Sequence, residues 1–339
     1  MFGKSDALGA ASTDPRGANA MHNSNVLPIG TLIGDYSIVG LLGHGGFGMT
    51  YEARDQHLHS PVALKEYFPG ELARRGPDYS VETRPDGAVG GYSWGLEKFE
   101  QEAKALAQLV HPNIVGINHL FRANGTAYIV LDLIHGSSLS QWLKTISRSI
   151  TQQEADAILF PLIEALETVH RKGLMHRDVA PKNIMLSPEF TPILIDFGTV
   201  RQLVAQRSQT LYAVLTPGYA PVEQYVATGV QQGPWTDIYA LAATIYEAIA
   251  GRKPPEAIDR SLDDKCVPLA DIGSGRFRPE FLAAIDWGLR PLPKDRPQDV
   301  ATWRDALSRG LYTAPPVHQT QATFTAAPAP KKTGWFGRN

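Results

Sequence analysis

The first third of the chain carries the periodicity of β-strands. Apolar residues alternate with polar ones, or run continuously over a few positions, and Gly, Asn and Pro interrupt the runs. The pattern predicts strands over residues 36–42, 51–54, 62–65, 114–121 and 127–133. Residues 96–110 differ, because their apolar positions recur at the spacing of an amphipathic helix.

Glu102 lies on the apolar stripe of this predicted helix, between the directions of Leu106 and Leu109. A carboxylate on that stripe faces the interior of the protein and not solvent. Because an unpaired buried carboxylate is costly, we expect Glu102 to have a cationic partner.

The remaining two thirds of the chain are mostly helical in pattern. Thr151 and Glu154 form a capping box, which predicts the start of a helix with one apolar face. Residues 238–250 are apolar on nearly every side and predict a buried central helix. No stretch approaches about 18 consecutive apolar residues, so no membrane-spanning segment is expected. The predicted architecture is α+β, a small β-rich unit followed by a larger helical one.

Composition and charge fit a folded globular protein. The chain has 339 residues, of which 43% are hydrophobic and 19% charged, and its formal net charge is −2. Without a basic surplus, neither nucleic acid nor an anionic membrane is expected as the main partner. The single cysteine, Cys266, excludes an internal disulfide and favours a reducing compartment. With no secretory signal pattern, we expect a cytoplasmic location.

Both ends of the chain lack periodic apolar patterns. Residues 1–34 are rich in Gly, Ala, Ser, Asn and Pro and predict a flexible leader. Residues 312–339 are rich in Thr, Ala, Pro and Gln, with basic and aromatic residues at their end, and predict a flexible tail.

A glycine-rich segment lies between the first two predicted strands. Glycines let backbone amides approach phosphate oxygens without interference from a Cβ atom. A dinucleotide fingerprint would lie between a strand and a helix instead. Lys65 follows at the end of the apolar run over residues 62–64.

Two further motifs follow in the second half of the chain. The first is His-Arg-Asp-Val-Ala-Pro-Lys-Asn at residues 176–183, and the second is Asp-Phe-Gly at residues 196–198. With the glycine loop, the strand lysine and Glu102, they resemble in order and spacing the motifs of eukaryotic-type (Hanks-type) bacterial serine/threonine protein kinases. The resemblance covers about residues 35–311. It implies a bilobal kinase fold, with a small β-rich N-lobe at 35–133 containing one regulatory helix and a larger helical C-lobe at 134–311.

The resemblance also implies a role for each motif residue. Lys65 would hold the α- and β-phosphates of ATP while paired with Glu102, and Asp178 would accept or orient the proton of the attacking hydroxyl. Asn183 and Asp196 would bind Mg²⁺, with Mn²⁺ as an alternative metal. Further nucleotide contacts are carried over to Gly43, Gly45, Gly46, Phe47, Gly48, Thr50, Ala63, Leu131, Asp132 and Ile134.

The sequence departs from the family pattern near the catalytic aspartate. Serine/threonine kinases usually carry a lysine two positions after it, where this chain has Ala180. Lys182 stands where receptor-type tyrosine kinases carry their cationic residue, and we expect it to meet the γ-phosphate charge. Thr216 and Pro217 resemble the serine/threonine docking segment, so Ser/Thr hydroxyls are the expected acceptors, and dual specificity stays open.

The segment between Lys65 and Glu102 is longer than kinases generally need. Residues 66–95 include a Gly-, Pro- and Asp-rich stretch. This insertion, together with the Gly-Phe-Gly-x-Thr-Tyr loop, resembles a bacterial subgroup of the family. Three interpretations stay open: it positions the glutamate helix, it binds a partner, or it is a tolerated surface loop.

The resemblance implies scaffold and regulatory roles as well. Glu223 is expected to pair with Arg296, and Asp237 to hold the backbone of the catalytic loop. Arg177 before the catalytic aspartate is typical of kinases switched by activation-segment phosphate, and autophosphorylation is expected at Ser208 or Thr210.

The expected function is ATP-dependent transfer of phosphate to Ser/Thr hydroxyls of protein substrates in bacterial signalling, with self-association for trans-autophosphorylation. Two alternatives stay open. Ala180 and the sequence Pro-Val-Glu at 221–223, in place of Ala-Pro-Glu, motivate a nucleotide-binding pseudokinase or scaffold. A small-molecule kinase of the same fold is the other, although the activation segment favours protein substrates.

Overall fold

The computed structural model describes residues 25–84, 90–198, 215–225 and 231–310. The N-terminal region is built on an antiparallel sheet with one long helix. Its strands are β1 (Leu32–Ile33), β2 (Tyr36–Gly45), β3 (Gly48–Asp55), β4 (Pro61–Tyr67), β5 (Ala73–Arg75), β6 (Val81–Thr83), β7 (Ile117–Ala123) and β8 (Thr126–Asp132), and its helix is α1 (Gly91–Leu106). The main sheet has the order β1-β2-β3-β4-β8-β7, and β5 and β6 form a separate hairpin.

The two faces of the main sheet have different surroundings. Thr50 pairs with Lys65, which pairs with Ile129, so these side chains share one face, and that face looks into the cleft beside α1. Tyr51 and Leu64 share the opposite face and are fully buried. Both faces of the sheet are therefore covered.

Residues before β1 and within the insertion cover the outer face. Leu27, Ala73 and Val81 are buried in the same apolar cluster as Tyr51 and Leu64. Of the three interpretations of residues 66–95, the surface loop is therefore wrong. The insertion forms a hairpin that is part of the N-lobe core.

The C-terminal region is mostly helical. A small sheet of order β11-β10-β9 lies beneath the cleft, with β9 at Ser137–Ser138, β10 at Ile184–Leu186 and β11 at Pro192–Leu194. The helices are α2 (Leu139–Thr145), α3 (Gln152–Arg171), α4 (Pro234–Ala250), α5 (Ala257–Leu262), α6 (Leu269–Ile272), α7 (Pro279–Gly288) and α8 (Val300–Ser308).

The predicted features of the long helices are confirmed. At the start of α3, the Thr151 hydroxyl accepts from the Glu154 amide at 3.2 Å, and the Glu154 carboxylate accepts from the Thr151 amide at 2.7 Å. Helix α4 is buried along almost its whole length. Within the described ranges, none of the helices combines the length and apolar character that a bilayer crossing needs.

Several predicted boundaries need correction. Helix α1 ends at Leu106, and Val110, predicted on its apolar stripe, is 94% exposed. The strand predicted to begin at residue 114 begins at Ile117. The predicted leader is too long, because Leu27 and Ile33 are buried and the folded N-lobe includes residues 25–34.

Candidate active site

Charged residues of the motifs meet in a cleft between the two regions. Lys65 from β4, Glu102 from α1 and Asp196 from the loop after β11 supply charged groups to one cavity. Apolar side chains complete its walls, among them Leu131 from β8 and Phe197. The structure thus gathers residues that are far apart in sequence.

Lys65 has a different ion-pair partner from the one predicted. Its ammonium group pairs with the carboxylate of Asp196, so the predicted Lys65–Glu102 pair is not formed. Asp196 adopts a left-handed backbone conformation, with a φ of 62°, that is uncommon for a residue other than glycine. Glu102 lies in the same cavity wall and acts on a different cation. Burial lowers the pKa of Arg177, and the carboxylates of Asp237 and Glu102 oppose that effect.

The Asp178 carboxylate is the centre of a polar cluster. It is 6% exposed, and its Oδ1 atom accepts a hydrogen bond from the Thr216 hydroxyl at 2.7 Å. Its Oδ2 atom accepts from Asn183 Nδ2 at 2.5 Å and lies 3.6 Å from Lys182 Nζ. The structure therefore brings the predicted base, the predicted metal ligand and the unusual lysine together.

Asn183 is oriented by its own amide nitrogen. That nitrogen donates to the Asp178 backbone carbonyl at 2.8 Å as well as to the carboxylate. Because both bonds use nitrogen, the amide oxygen is the atom that Asn183 can offer to a metal ion.

Asp237 at the start of α4 holds the catalytic loop from below. Its carboxylate accepts from the amides of His176 and Arg177 at 2.9 and 2.8 Å and bonds His170 Nε2 at 2.7 Å. Burial would raise the pKa of Asp237, but the hydrogen bond and charge of His170 and the amide bonds hold it below its ordinary value. Its predicted scaffold role is confirmed.

His176 has an architectural place in the loop. Burial lowers its pKa and favours the neutral ring. The ring is bonded through Nε2 to the Ile195 carbonyl at 3.1 Å and through Nδ1 to the Asp178 amide at 3.3 Å. Nε2 then carries the proton, and both ring nitrogens are occupied by backbone groups.

The predicted pair of Glu223 and Arg296 is present in the C-terminal core. Arg296 Nη1 donates to Glu223 Oε1 at 2.8 Å, and both side chains are fully buried. Arg296 also donates to the carbonyls of Arg290 and Pro291, each at 2.7 Å. These hydrogen bonds compensate the Arg296 guanidinium group for its removal from water.

The glycine-rich loop forms a tight hairpin over the cleft. Gly45 pairs with Gly48, so residues 46 and 47 form the turn. A Cβ atom on Gly48 would lie 2.5 Å from the carbonyl oxygen of Glu66, so only glycine permits this approach of β3 to β4. Phe47 at the tip packs against Leu215 and Ala220 in the C-terminal region. The motif did not predict this contact.

The remaining residues that are predicted to contact the nucleotide lie between the glycine-rich loop and the connection of the two lobes. Gly43 pairs with Thr50 at the base of the glycine loop, and Ala63 pairs with Leu131 on the cleft face. The Asp132 amide donates to Gly116 at 3.0 Å, so that amide does not face a ligand. Ile134 lies two residues after the end of β8. The predicted phosphorylation sites Ser208 and Thr210 lie outside the described residues.

Sequence reasoning also missed two further features of the site. The bond between Thr216 and Asp178 joins residues 38 positions apart. Thr216 was recognisable as part of a docking segment, but no local signal indicates its partner. The second is a buried ion pair between Arg75 and Glu66 behind Lys65, with a shortest distance of 2.6 Å.

Comparisons with known proteins agree with this geometry. A family model described as "Protein kinase domain" matches residues 36–268. Serine/threonine-protein kinase PknD of Mycobacterium tuberculosis is 32% identical over 308 residues, which is 88% of this chain and 43% of PknD. Serine/threonine-protein kinase PLK4 of Drosophila melanogaster is 29% identical over 269 residues, 79% of this chain and 32% of PLK4.

A solved structure of PpkA-294 in its apo form is similar to this chain as well. It has a TM-score of 0.77 and 36% sequence identity, and the match covers 84% of this chain and 100% of that one. The matched part of the chain spans less than half the length of PknD and of PLK4.

Proposed function

The chain belongs to the Hanks-type serine/threonine protein kinase family, and we propose that it transfers the γ-phosphate of ATP to Ser/Thr hydroxyls of protein substrates. The arrangement around Asp178 carries the proposal. A buried carboxylate bonded to the Thr216 hydroxyl at 2.7 Å stands beside the ammonium group of Lys182. Such a site can bind an alcohol and offset the charge of a phosphoryl group.

Asp178 is the proposed acceptor of the substrate proton. Its Oδ1 atom accepts a hydrogen bond from the Thr216 hydroxyl, which supports a role for this carboxylate as an acceptor of hydroxyl protons. The bond from Asn183 to Oδ2 fixes the orientation of the carboxylate. The attacking oxygen would therefore meet a carboxylate held in one orientation.

Lys182 is the proposed cation for the γ-phosphate. Its Nζ atom is 3.6 Å from Asp178 Oδ2, and the side chain is 49% exposed. It supplies positive charge close to where substrate and γ-phosphate would meet. Ala180, which replaces the usual lysine, is fully buried, so Lys182 takes over this charge.

Kinases of this family use ATP with a divalent cation, and two groups here fit one. The Asp196 carboxylate is 43% exposed, and the Asn183 amide presents its oxygen. Hard oxygen donors suit Mg²⁺, and Mn²⁺ is the alternative; few protein ligands suffice because Mg²⁺ also binds phosphate oxygens and water. The cation would neutralise phosphate charge when bound.

Lys65 and the glycine loop are the proposed phosphate contacts. Lys65 would exchange its bond to Asp196 for the α- and β-phosphates, which frees the Asp196 carboxylate for the cation. The walls contributed by Thr50, Ala63 and Leu131 would enclose the adenine, with backbone contacts at Asp132 and Ile134. Catalysis then rests on positioning and charge neutralisation.

The proposal extends to regulation and partners. We propose autophosphorylation at Ser208 or Thr210, with the added phosphate paired to Arg177. Two copies of the chain would associate for the reaction in trans. Protein substrates in signalling are the proposed targets, and nucleic acid is not proposed as a partner. A cytoplasmic location is proposed from the single cysteine, Cys266, which suits a reducing compartment.

The test is incubation of the purified full chain with Mg²⁺ and γ-labelled ATP, followed by phosphoamino-acid analysis. Asp178→Asn and Lys65→Ala should abolish incorporation, whereas Asp305→Asn, an exposed aspartate on α8, should retain it. Phosphoserine or phosphothreonine is the expected product. ATP binding without transfer, even with added protein substrates and after phosphorylation of the activation segment, would favour a pseudokinase. Transfer only to small hydroxylated metabolites would favour a small-molecule kinase.

A further inference from the structure

We propose that residues 68–70, at the start of the insertion, position the tip of the glycine-rich loop for phosphate binding. The inference rests on the proposed ATP-dependent function. The inference gives the insertion a role. Its first residues continue the backbone pairing beyond β4 and hold the glycine-rich loop in one conformation.

The contacts are backbone hydrogen bonds. Strands β3 and β4 end their pairing at Gly48 and Tyr67. Beyond that pair, the Phe68 amide donates to the Phe47 carbonyl at 3.1 Å, and the Gly70 amide donates to the Gly46 carbonyl at 3.1 Å. The insertion therefore continues along the loop to its tip.

The bond from Gly70 determines how the central peptide of the turn is oriented. That peptide joins Gly46 to Phe47, the two residues of the turn between β2 and β3. In a trans peptide, the carbonyl and the N–H point in opposite directions. With the Gly46 carbonyl bonded to the insertion, the Phe47 amide points away from it and becomes a donor for a phosphate oxygen.

The insertion is rigidly held at this point. Pro69 begins a tight turn in which its carbonyl accepts from the amides of Leu72 and Ala73, both at 2.8 Å. The side chains of Leu72 and Ala73 are buried in the N-lobe core. Burial and the turn together leave residues 68–70 little freedom to move away from the loop.

An ion pair anchors the hairpin to β4. Arg75 donates to Glu66 through two nitrogens, at 2.7 and 2.6 Å, and the two side chains are 2% and 0% exposed. Glu66 also accepts from the Tyr128 hydroxyl at 2.6 Å. The Arg75 guanidinium lies 4.7 Å from the centre of the Phe68 ring. The anchor therefore contacts both β4 and the segment that holds the loop.

Gly70 permits a test that removes one hydrogen bond. It is the second residue of the turn that begins at Pro69, a position where proline is favoured. A Cβ atom there would meet nothing within 4 Å, and the backbone is outside the left-handed region. Gly70→Pro should keep the turn, lose the amide donor and place the proline Cδ atom against the Gly46 carbonyl oxygen, so that this carbonyl must turn away, whereas the matched variant Gly70→Ala keeps the donor.

The experiment measures binding of Mg²⁺-ATP and of adenosine to the full chain by calorimetry. Gly70→Pro should weaken ATP binding at least about 2- to 10-fold, because one hydrogen bond is lost and the Gly46 carbonyl is displaced, and should leave adenosine binding unchanged. Gly70→Ala should match the wild type for both ligands. A Gly70→Pro variant that binds both ligands like the wild type, or loses both equally, would overturn the inference.

Hydrogen exchange of the unsubstituted protein keeps the test independent of whether Gly70→Pro folds. The Gly70 and Phe68 amides should exchange slowly, like amides within β4, and exchange at the rate of exposed loops would overturn the inference. Failure of the wild type to bind ATP would instead refute the proposed function, so the two failures are distinguishable.

Discussion

Replacing Arg75 by methionine should destabilise the N-lobe strongly, because it leaves the Glu66 carboxylate buried without its cation. The two side chains are 2% and 0% exposed, so water does not reach the carboxylate in the folded state. Removing one partner of a buried ion pair costs about 3–5 kcal/mol. The Tyr128 hydroxyl, at 2.6 Å, still donates to Glu66 in the variant. We therefore expect the free energy of unfolding to fall by about 3 kcal/mol, near the lower end of that range.

The neighbouring arginine supplies a matched control. Arg74 pairs with Glu82 on the same hairpin, but these side chains are 58% and 41% exposed. Exposed pairs contribute about 0–1 kcal/mol, so Arg74→Met should have a small effect. Urea unfolding followed by tryptophan fluorescence measures both variants, with equal m-values required for the comparison.

A double variant tests the assigned cause. Glu66→Gln in the Arg75→Met background neutralises the stranded carboxylate and should recover more than half of the lost stability. Equal losses for Arg75→Met and Arg74→Met would refute the reasoning. Absence of recovery in the double variant would show that lost packing of the arginine, and not the stranded charge, causes the destabilisation.

Three further results are expected. Gly48→Ala should reduce kinase activity at least about tenfold and destabilise the fold by about 1–3 kcal/mol, because its Cβ would lie 2.5 Å from the Glu66 carbonyl oxygen. Lys182→Ala should lower kcat about 100-fold in steady-state assays, with a small change in the KM for ATP. The hydrogen bond from Arg148 lowers the pKa of Glu154 to about 2 from 4.5. The bond between Arg148 and the ionised Glu154 therefore stabilises the folded state above pH 4.5, and this contribution is lost as pH falls towards 2. Arg148→Gln should therefore reduce stability at pH 6 more than at pH 2 in urea unfolding.

Control variants separate local from general effects. Gly40→Ala, where a Cβ atom would have no neighbour within 4 Å, should retain activity, and similar losses at Gly40 and Gly48 would contradict the steric argument. Lys172→Ala, an exposed lysine after α3, should leave kcat unchanged. An unchanged kcat in Lys182→Ala would refute the γ-phosphate role of Lys182. A pH-independent effect of Arg148→Gln would refute the linkage to Glu154.

The sequence contains a signal that the outer face of the N-lobe sheet is covered, and the prediction did not use it. Residues 62–64 and 127–131 are continuous apolar runs, a pattern typical of strands covered on both faces. Glu66 comes shortly after the first run, and because it is a charged residue that is buried, it makes the buried pattern harder to recognise. The Gly- and Pro-rich composition after Glu66 suggested a loop, whereas the structure has the hairpin of β5 and β6.

The sequence by itself determined the long elements and the identity of the chemical groups. Strand and helix periodicity, the capping box at Thr151 and the motifs around Asp178 and Asp196 depend on residues close together in the chain, so short-range patterns encode them. The order of these motifs was sufficient to indicate the kinase fold.

The tertiary structure decided which distant groups meet. The partner of Lys65 is Asp196, 131 positions away, and the bond from Thr216 to Asp178 likewise joins separate segments. The packing of Phe47 against Leu215 and Ala220 depends on how the two regions meet, and the bond from Gly70 to Gly46 depends on how the insertion folds along the glycine-rich loop. Side-chain charge limits which residues can pair, but only the packed arrangement sets the distances between them, and electrostatic attraction depends on those distances.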